Sequence, residues 1–186
     1  MTIKFMKMDL LEETLYKIKN NLFSEREKIE AIFKLGDTQE KNAIPYLLSM
    51  LKDKNNSIFV RNSAAMSLGE LSANEAVPII MEVIKSPEHI HNNGALIFSL
   101  QNLDCREHFM YFINLLCIGD FEVRQMSEFI IEKYADQITP AEKIDALGIL
   151  KRYKKQYELD IDVDERINRI AFIEGAQKML KSHREE

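Results

Sequence analysis

Ala43 to Leu71 reads AIPYLLSMLKDKNNSIFVRNSAAMSLGEL, and this stretch decides the fold. Ile44, Leu47, Leu48 and Leu51 recur at the spacing that lines one face of a helix. Lys52 to Ser57 is a polar loop, and Phe59 to Leu71 reads as a second helix. The unit is a helical hairpin, and weaker copies lie on both sides of it. Leu35, Leu68, Leu100 and Ile131 hold one late core position, spaced 33, 32 and 31 residues apart. Ala43-Ile44-Pro45 returns as Ala76-Val77-Pro78 after 33 residues, and the next copy carries His108-Phe109-Met110. A near-constant period of hairpins implies a solenoid, in which each pair buries its apolar face only against its neighbours.

Start signals place the remaining helices. Asp9 with Glu12, Ser24 with Glu27, and Thr139 with Pro140 and Glu142 have capping-box spacing. Asp37 with Glu40, Ser72 with Glu75, and Asp104 with Glu107 repeat the device. The first helix carries Leu11, Leu15, Ile18 and Leu22, and the second stops near Gly36. Ser86-Pro87 restarts the chain into a helix reaching Leu103. Gly119-Asp120 precedes an eighth helix, Val123 to Tyr134, and Glu158 to Glu165 is an acidic loop before a last helix ending at Ser182. The expected organisation is one domain over 1–186: an N-terminal hairpin at 9–36, core repeats over 37–135, and a C-terminal capping hairpin at 139–182.

Composition agrees with that class. Apolar residues make up 46%, enough for a sizeable core, while six glycines and four prolines argue against a turn-rich β architecture. A net charge of −5 disfavours a nonspecific nucleic-acid binder. Cys105 and Cys117 form neither a disulfide framework nor a zinc spacing, and they read as buried small hydrophobes in a reducing compartment. The start, MTIKFMKMDLL, has no signal-peptide core, and no apolar run approaches a membrane span. The expectation is a cytoplasmic protein.

Phe59-Val60-Arg61-Asn62-Ser63-Ala64-Ala65-Met66-Ser67-Leu68-Gly69 resembles the second helix of a short bacterial HEAT repeat, and Ala76-Val77-Pro78-Ile79-Ile80 resembles the first. The resemblance is strongest over 38–103, extends from about 24 to 135, and implies an all-α, right-handed solenoid of about five hairpins. Tetratricopeptide repeats want a tryptophan, which this chain lacks, and no ankyrin T-P-L-H occurs. The family uses Asp and Arg residues to tie loops together. Asp53 with Arg61 and Asp120 with Arg124 occupy such positions, with Lys28 and Asn93 at the Arg position in other copies. The family also commonly exposes the side chain two residues before the late core leucine on its concave face. Here that row is Phe33, Met66, Phe98 and Phe129. Beside it run Lys34, Ser67, Ser99 and Ile130, then Asp37, Glu70, Asn102 and Lys133. Aromatic and methionine anchors dominate interface cores, so this row is the candidate partner-binding face. The alternative is that these side chains fold into the core between hairpins.

Other constellations carry less chemistry. His89 and His91 with Glu88 lack helical metal spacing, and Cys105 with His108 has nothing to orient a base. No metal, cofactor or catalytic residue is expected. Lys151-Arg152-Tyr153-Lys154-Lys155 is the one basic cluster with an aromatic inside it, and it also suits a helix C-terminus. The expected function is a non-enzymatic scaffold, monomeric, binding a partner protein. His91 to Leu100, continuing to Ile131, resembles the repeats of HEAT-type bacterial immunity proteins, which implies masking of a toxic effector. Other expectations from the architecture are an adaptor for a cofactor-loading partner, as in relatives of bilin lyases, and a DNA-repair glycosylase. The latter class relies on tryptophan and a basic concave face, and this chain has no tryptophan.

Overall fold

A computed structural model describes residues 9–20, 22–86, 93–159 and 162–182. Among these, every regular element is helical, as the all-α class requires. The chain groups into two compact units: Met1–Lys85 with Phe98–Asp104, and Ser86–Ile97 with Cys105–Glu186.

The first unit holds α1 (Leu10–Lys19), α2 (Glu25–Asp37), α3 (Ile44–Lys52), α4 (Ile58–Glu70) and α5 (Val77–Lys85). Two capping boxes form as read: Asp9 accepts from the Glu12 N–H and Ser24 from the Glu27 N–H, with each glutamate returning to its cap. α1 packs on α2, α3 on α4, and α2 against α4, while α3 also meets α5. Ile32, Leu35, Leu47, Leu51, Ala64 and Leu68 form the core of this unit and are fully enclosed. Each of these leucine and isoleucine side chains contributes about 2 kcal/mol by leaving water.

The spacing misreads several helix ends. α1 stops at Lys19, and Leu22 lies beyond it as the most exposed large apolar side chain among the described residues. α2 runs through Gly36 to Asp37, so Asp37 ends a helix and does not start one. The next turn is a 3-10 turn, Lys41–Ala43, where Glu40 accepts from the Asn42 N–H before α3 begins. Asn74–Ala76 repeats that turn before α5, and Arg106–His108 repeats it in the second unit. Gln39 and Ser72, 33 residues apart, take positive φ of 56° and 54°. The chain thus reverses through a left-handed residue and a 3-10 turn, which a capping-box pattern does not encode.

The second unit holds most of α6 (Gly94–Ser99), whose end belongs to the first unit, and then α7 (Phe109–Ile118), α8 (Phe121–Tyr134), α9 (Pro140–Tyr157) and α10 (Val163–Ser182). α6 passes into a 3-10 turn at Leu100–Asn102 and ends there. The proposed restart at Ser86-Pro87 falls largely outside the described residues. Thr139 and Glu142 form the expected box with Pro140 at the first turn of α9. Asp120 caps α8 by accepting from the Val123 N–H. α7 packs on α8 and α9, and α10 covers α7, α8 and α9. Phe109, Phe112, Ile113, Leu116, Ile131, Leu150 and Ile173 make its core.

Candidate interaction surface

The seam between α2 and α4 sets the register of the first unit. Gly36 lies against Ser67, where a Cβ would stand 3.1 Å from the Ser67 Cα. Ser67 Oγ donates to the Ile32 carbonyl at 3.0 Å. One period later, Gly69 lies against Ser99, and a Cβ there would come within 2.5 Å of the Ser99 carbonyl oxygen. Glycine at these two positions serves close helix approach. Gln39 Nε2 adds a tie by donating to the Glu70 carbonyl at 3.0 Å. Ser67 and Ser99 are therefore packing residues, buried with Ile130 of their row, while Lys34 stays exposed.

Next to those serines stand the anchors. In the first unit Phe33 and Met66 are half-buried and Phe98 is 41% exposed; in the second unit Phe129 is 45% exposed. None of the four is enclosed in a core. Asp37, Glu70 and Asn102, and Lys133 in the second unit, are all exposed. The Lys133 ammonium lies 4.9 Å from the centre of the Tyr134 ring. The first unit thus offers apolar side chains flanked by two carboxylates and an amide, on helices whose spacing the glycine–serine seam fixes.

Arg61 and Arg124 both reach back to the helix that precedes their own. Arg61 Nε donates to the Leu51 carbonyl at 3.0 Å, and Arg124 Nη1 donates to the Gly119 carbonyl at 3.0 Å. Both are buried, and each closes the C-terminal end of the preceding helix, where carbonyls lack helical partners. Asp53 accepts from the Asn55 backbone, and Asp120 is a helix cap. The bidentate partner of Arg124 is Glu165 of α10, at 2.9 and 3.3 Å, with Asn168 Oδ1 accepting at 2.9 Å. Arg169 closes on the same carboxylate at 2.7 Å. These two cations hold the Glu165 carboxyl below the usual range, the Arg124 hydrogen bonds having the largest effect.

A second cross-tie joins Arg106 to Glu142, with Nη2 to Oε2 at 2.7 Å. The Arg106 hydrogen bonds, then those from Thr139, pull the Glu142 carboxyl down to about 2. Tyr157 Oη and Arg169 Nη1 both donate to the Cys117 carbonyl. Burial pushes the Cys117 thiol up to about 12, so it is a protonated packing group near neutrality. His108 Nε2 lies 3.3 Å from Glu107 Oε1, and His89, His91 and Glu88 lie outside the described residues. Among the described residues no three His, Cys, Asp or Glu side chains gather as a metal site. The sequence did not disclose Glu165, Asn168 or Glu142 as arginine partners, because they lie 36 to 44 residues from the arginines they meet.

Residues 13–100 match the family model described as HEAT repeats. Deoxyhypusine hydroxylase of Candida albicans is 37% identical to the chain over 62 residues, which is 33% of this chain and 20% of that protein. The chain spans about a fifth of the length of that curated relative. No helix among the described residues is long and apolar enough to cross a membrane.

Proposed function

We propose that this chain is a protein-binding scaffold without catalytic activity, and that its first unit takes the partner on Phe33, Met66 and Phe98, flanked by Asp37, Glu70 and Asn102. The observation that carries this reading is the exposure of Phe98 directly beside Ser99, which packs on Gly69. A large aromatic left 41% exposed on a fixed helix has the properties of an interface anchor. In the second unit Phe129 and Lys133 occupy the equivalent positions and serve the same role. The carboxylates select a basic partner, which agrees with the net charge of −5. Masking a basic toxic effector in the cytoplasm, as an immunity protein does, is the specific role that combines these features.

Capture of a partner from the native host by wild type and by Phe98→Glu tests the proposal. The variant is expected to lose the partner while its melting temperature stays within about 3 °C of wild type, since a surface change costs little stability. Retention of the partner by a folded Phe98→Glu protein would refute the anchor role. The 62-residue likeness to deoxyhypusine hydroxylase favours a second reading, an enzyme acting on deoxyhypusine. Turnover of a deoxyhypusine-bearing protein by the purified chain would decide for that reading.

A further inference from the structure

We infer that the outward face of α9 in the second unit is a docking surface for an acidic, amphipathic segment of a partner protein. Ala146 and Leu150 are buried and define the inner side of this helix. Ile144, Gly148, Lys151 and Lys155 follow one another along the opposite side at helical spacing, and all are exposed. Ile144 is 67% exposed.

Gly148 is the observation that separates this face from an ordinary solvated one. At each of the other five glycines an added Cβ would meet an atom of this chain at 3.1 Å or closer, whereas at Gly148 it would meet nothing within 4 Å among the described residues. A glycine in the middle of a helix weakens that helix, and no contact among the described residues gains from it. The gain lies in letting a second backbone come close, between the Ile144 side chain and the cations.

Charge decides the occupant. Lys154 is taken by Glu174 at 2.7 Å. Among the described residues Lys151, Arg152 and Lys155 enter no ion pair. The helix dipole accounts for cations in the final turn, Lys154 and Lys155, but Lys151 and Arg152 stand before it. Asp145 and Glu158 bracket the cluster, so an incoming segment must centre its negative charge on the three cations. A nucleic acid fits less well. Ile144 and Gly148 offer apolar contact and close backbone approach, which a phosphate chain does not use. Tyr153 has Arg152 on one side at 5.7 Å and Tyr157 stacked at 6.1 Å, so its ring is not open to a base.

Fluorescence anisotropy with a labelled leucine–glutamate amphipathic helix of about 18 residues tests this. The comparators are the same peptide with lysine for glutamate and a single-stranded oligonucleotide. Wild type is expected to bind the glutamate peptide, more weakly as salt rises, and to bind neither comparator on this face. Gly148→Leu is expected to raise the melting temperature by about 3 °C yet weaken the peptide roughly tenfold. Lys151→Glu with Lys155→Glu is expected to weaken it by a similar factor, and Phe98→Glu to leave it unchanged. The inference is overturned if the glutamate peptide does not bind, if Gly148→Leu binds it as wild type does, or if the oligonucleotide is the probe that the lysine changes release.

Discussion

Arg124 concentrates more of the second unit's polar geometry than any other described side chain. It is almost fully enclosed and reaches Gly119, Glu165 and Asn168, with the Phe172 ring 5.7 Å below its guanidinium. Replacing it by methionine keeps the stem but takes a donor from the Gly119 carbonyl and leaves the Glu165 carboxylate with Arg169 alone. Urea unfolding of Arg124→Met is expected to show a loss of about 2 kcal/mol, from the lost charge-assisted hydrogen bonds of a pair whose carboxylate is part-exposed; a loss under about 0.5 kcal/mol would mean that water replaces the guanidinium. Glu142 gives the pH counterpart. Its carboxyl is held at about 2, against 4.5 for the ordinary group. A depressed native value means that its stabilisation is present above the unfolded value and lost as pH falls from about 4.5 toward about 2. Thermal melts of wild type across that window are expected to fall more steeply than those of Glu142→Gln. Parallel curves would dissociate the carboxylate from acid stability.

Among elements, α4 and α9 make opposite use of glycine. Alanine is favoured over glycine in a helix interior by about 1 kcal/mol. At Gly69 that gain is outweighed, because the new Cβ would meet the Ser99 carbonyl at 2.5 Å. Gly69→Ala is therefore expected to lose about 1–3 kcal/mol, within the usual cost of overpacking. Gly148→Ala, facing open space, is expected to gain. Chemical denaturation of the two single variants measures both signs, and a stabilised Gly69→Ala would show that α4 and the Ser99 segment can separate without cost. Ser72 adds a third case: its φ of 54° suits glycine, so Ser72→Gly is expected to stabilise by up to about 1 kcal/mol.

For the whole molecule, the sequence disclosed its all-α class because burial follows the period: Leu35, Leu68, Leu100 and Ile131 are all fully enclosed. Capping boxes were legible where a side chain bonds locally, at Asp9, Ser24 and Thr139. They misled at Asp37, Ser72 and Asp104, where a reversal and a 3-10 turn come first. The anchor row could be placed from spacing, but the sequence could not separate Met66, half-buried, from its neighbour Ser67, which is enclosed. That difference arises from how closely Gly36 lets α4 approach α2. The arginine partners were hidden for a related reason, since contacts formed across several tens of residues leave no local pattern. Charge acts on the same scale: binding of a basic partner by the first unit is expected to weaken about tenfold when Asp37 and Glu70 are both changed to lysine. Titrations at low and physiological salt would detect this, and equal affinities would remove the carboxylates from recognition.

The glycine–serine seam also makes the 33-residue period portable. Gly36 receives Ser67, and Gly69 receives Ser99, so the segment between the two glycines begins and ends on the same kind of joint. A second copy of residues 37–69 spliced in after Gly69 would present Gly69 to the copied Ser67 and offer the copied glycine to Ser99. The chain could then be lengthened by one hairpin with both joints preserved and one more methionine added to the anchor row, so that its reach toward a partner becomes a matter of copy number.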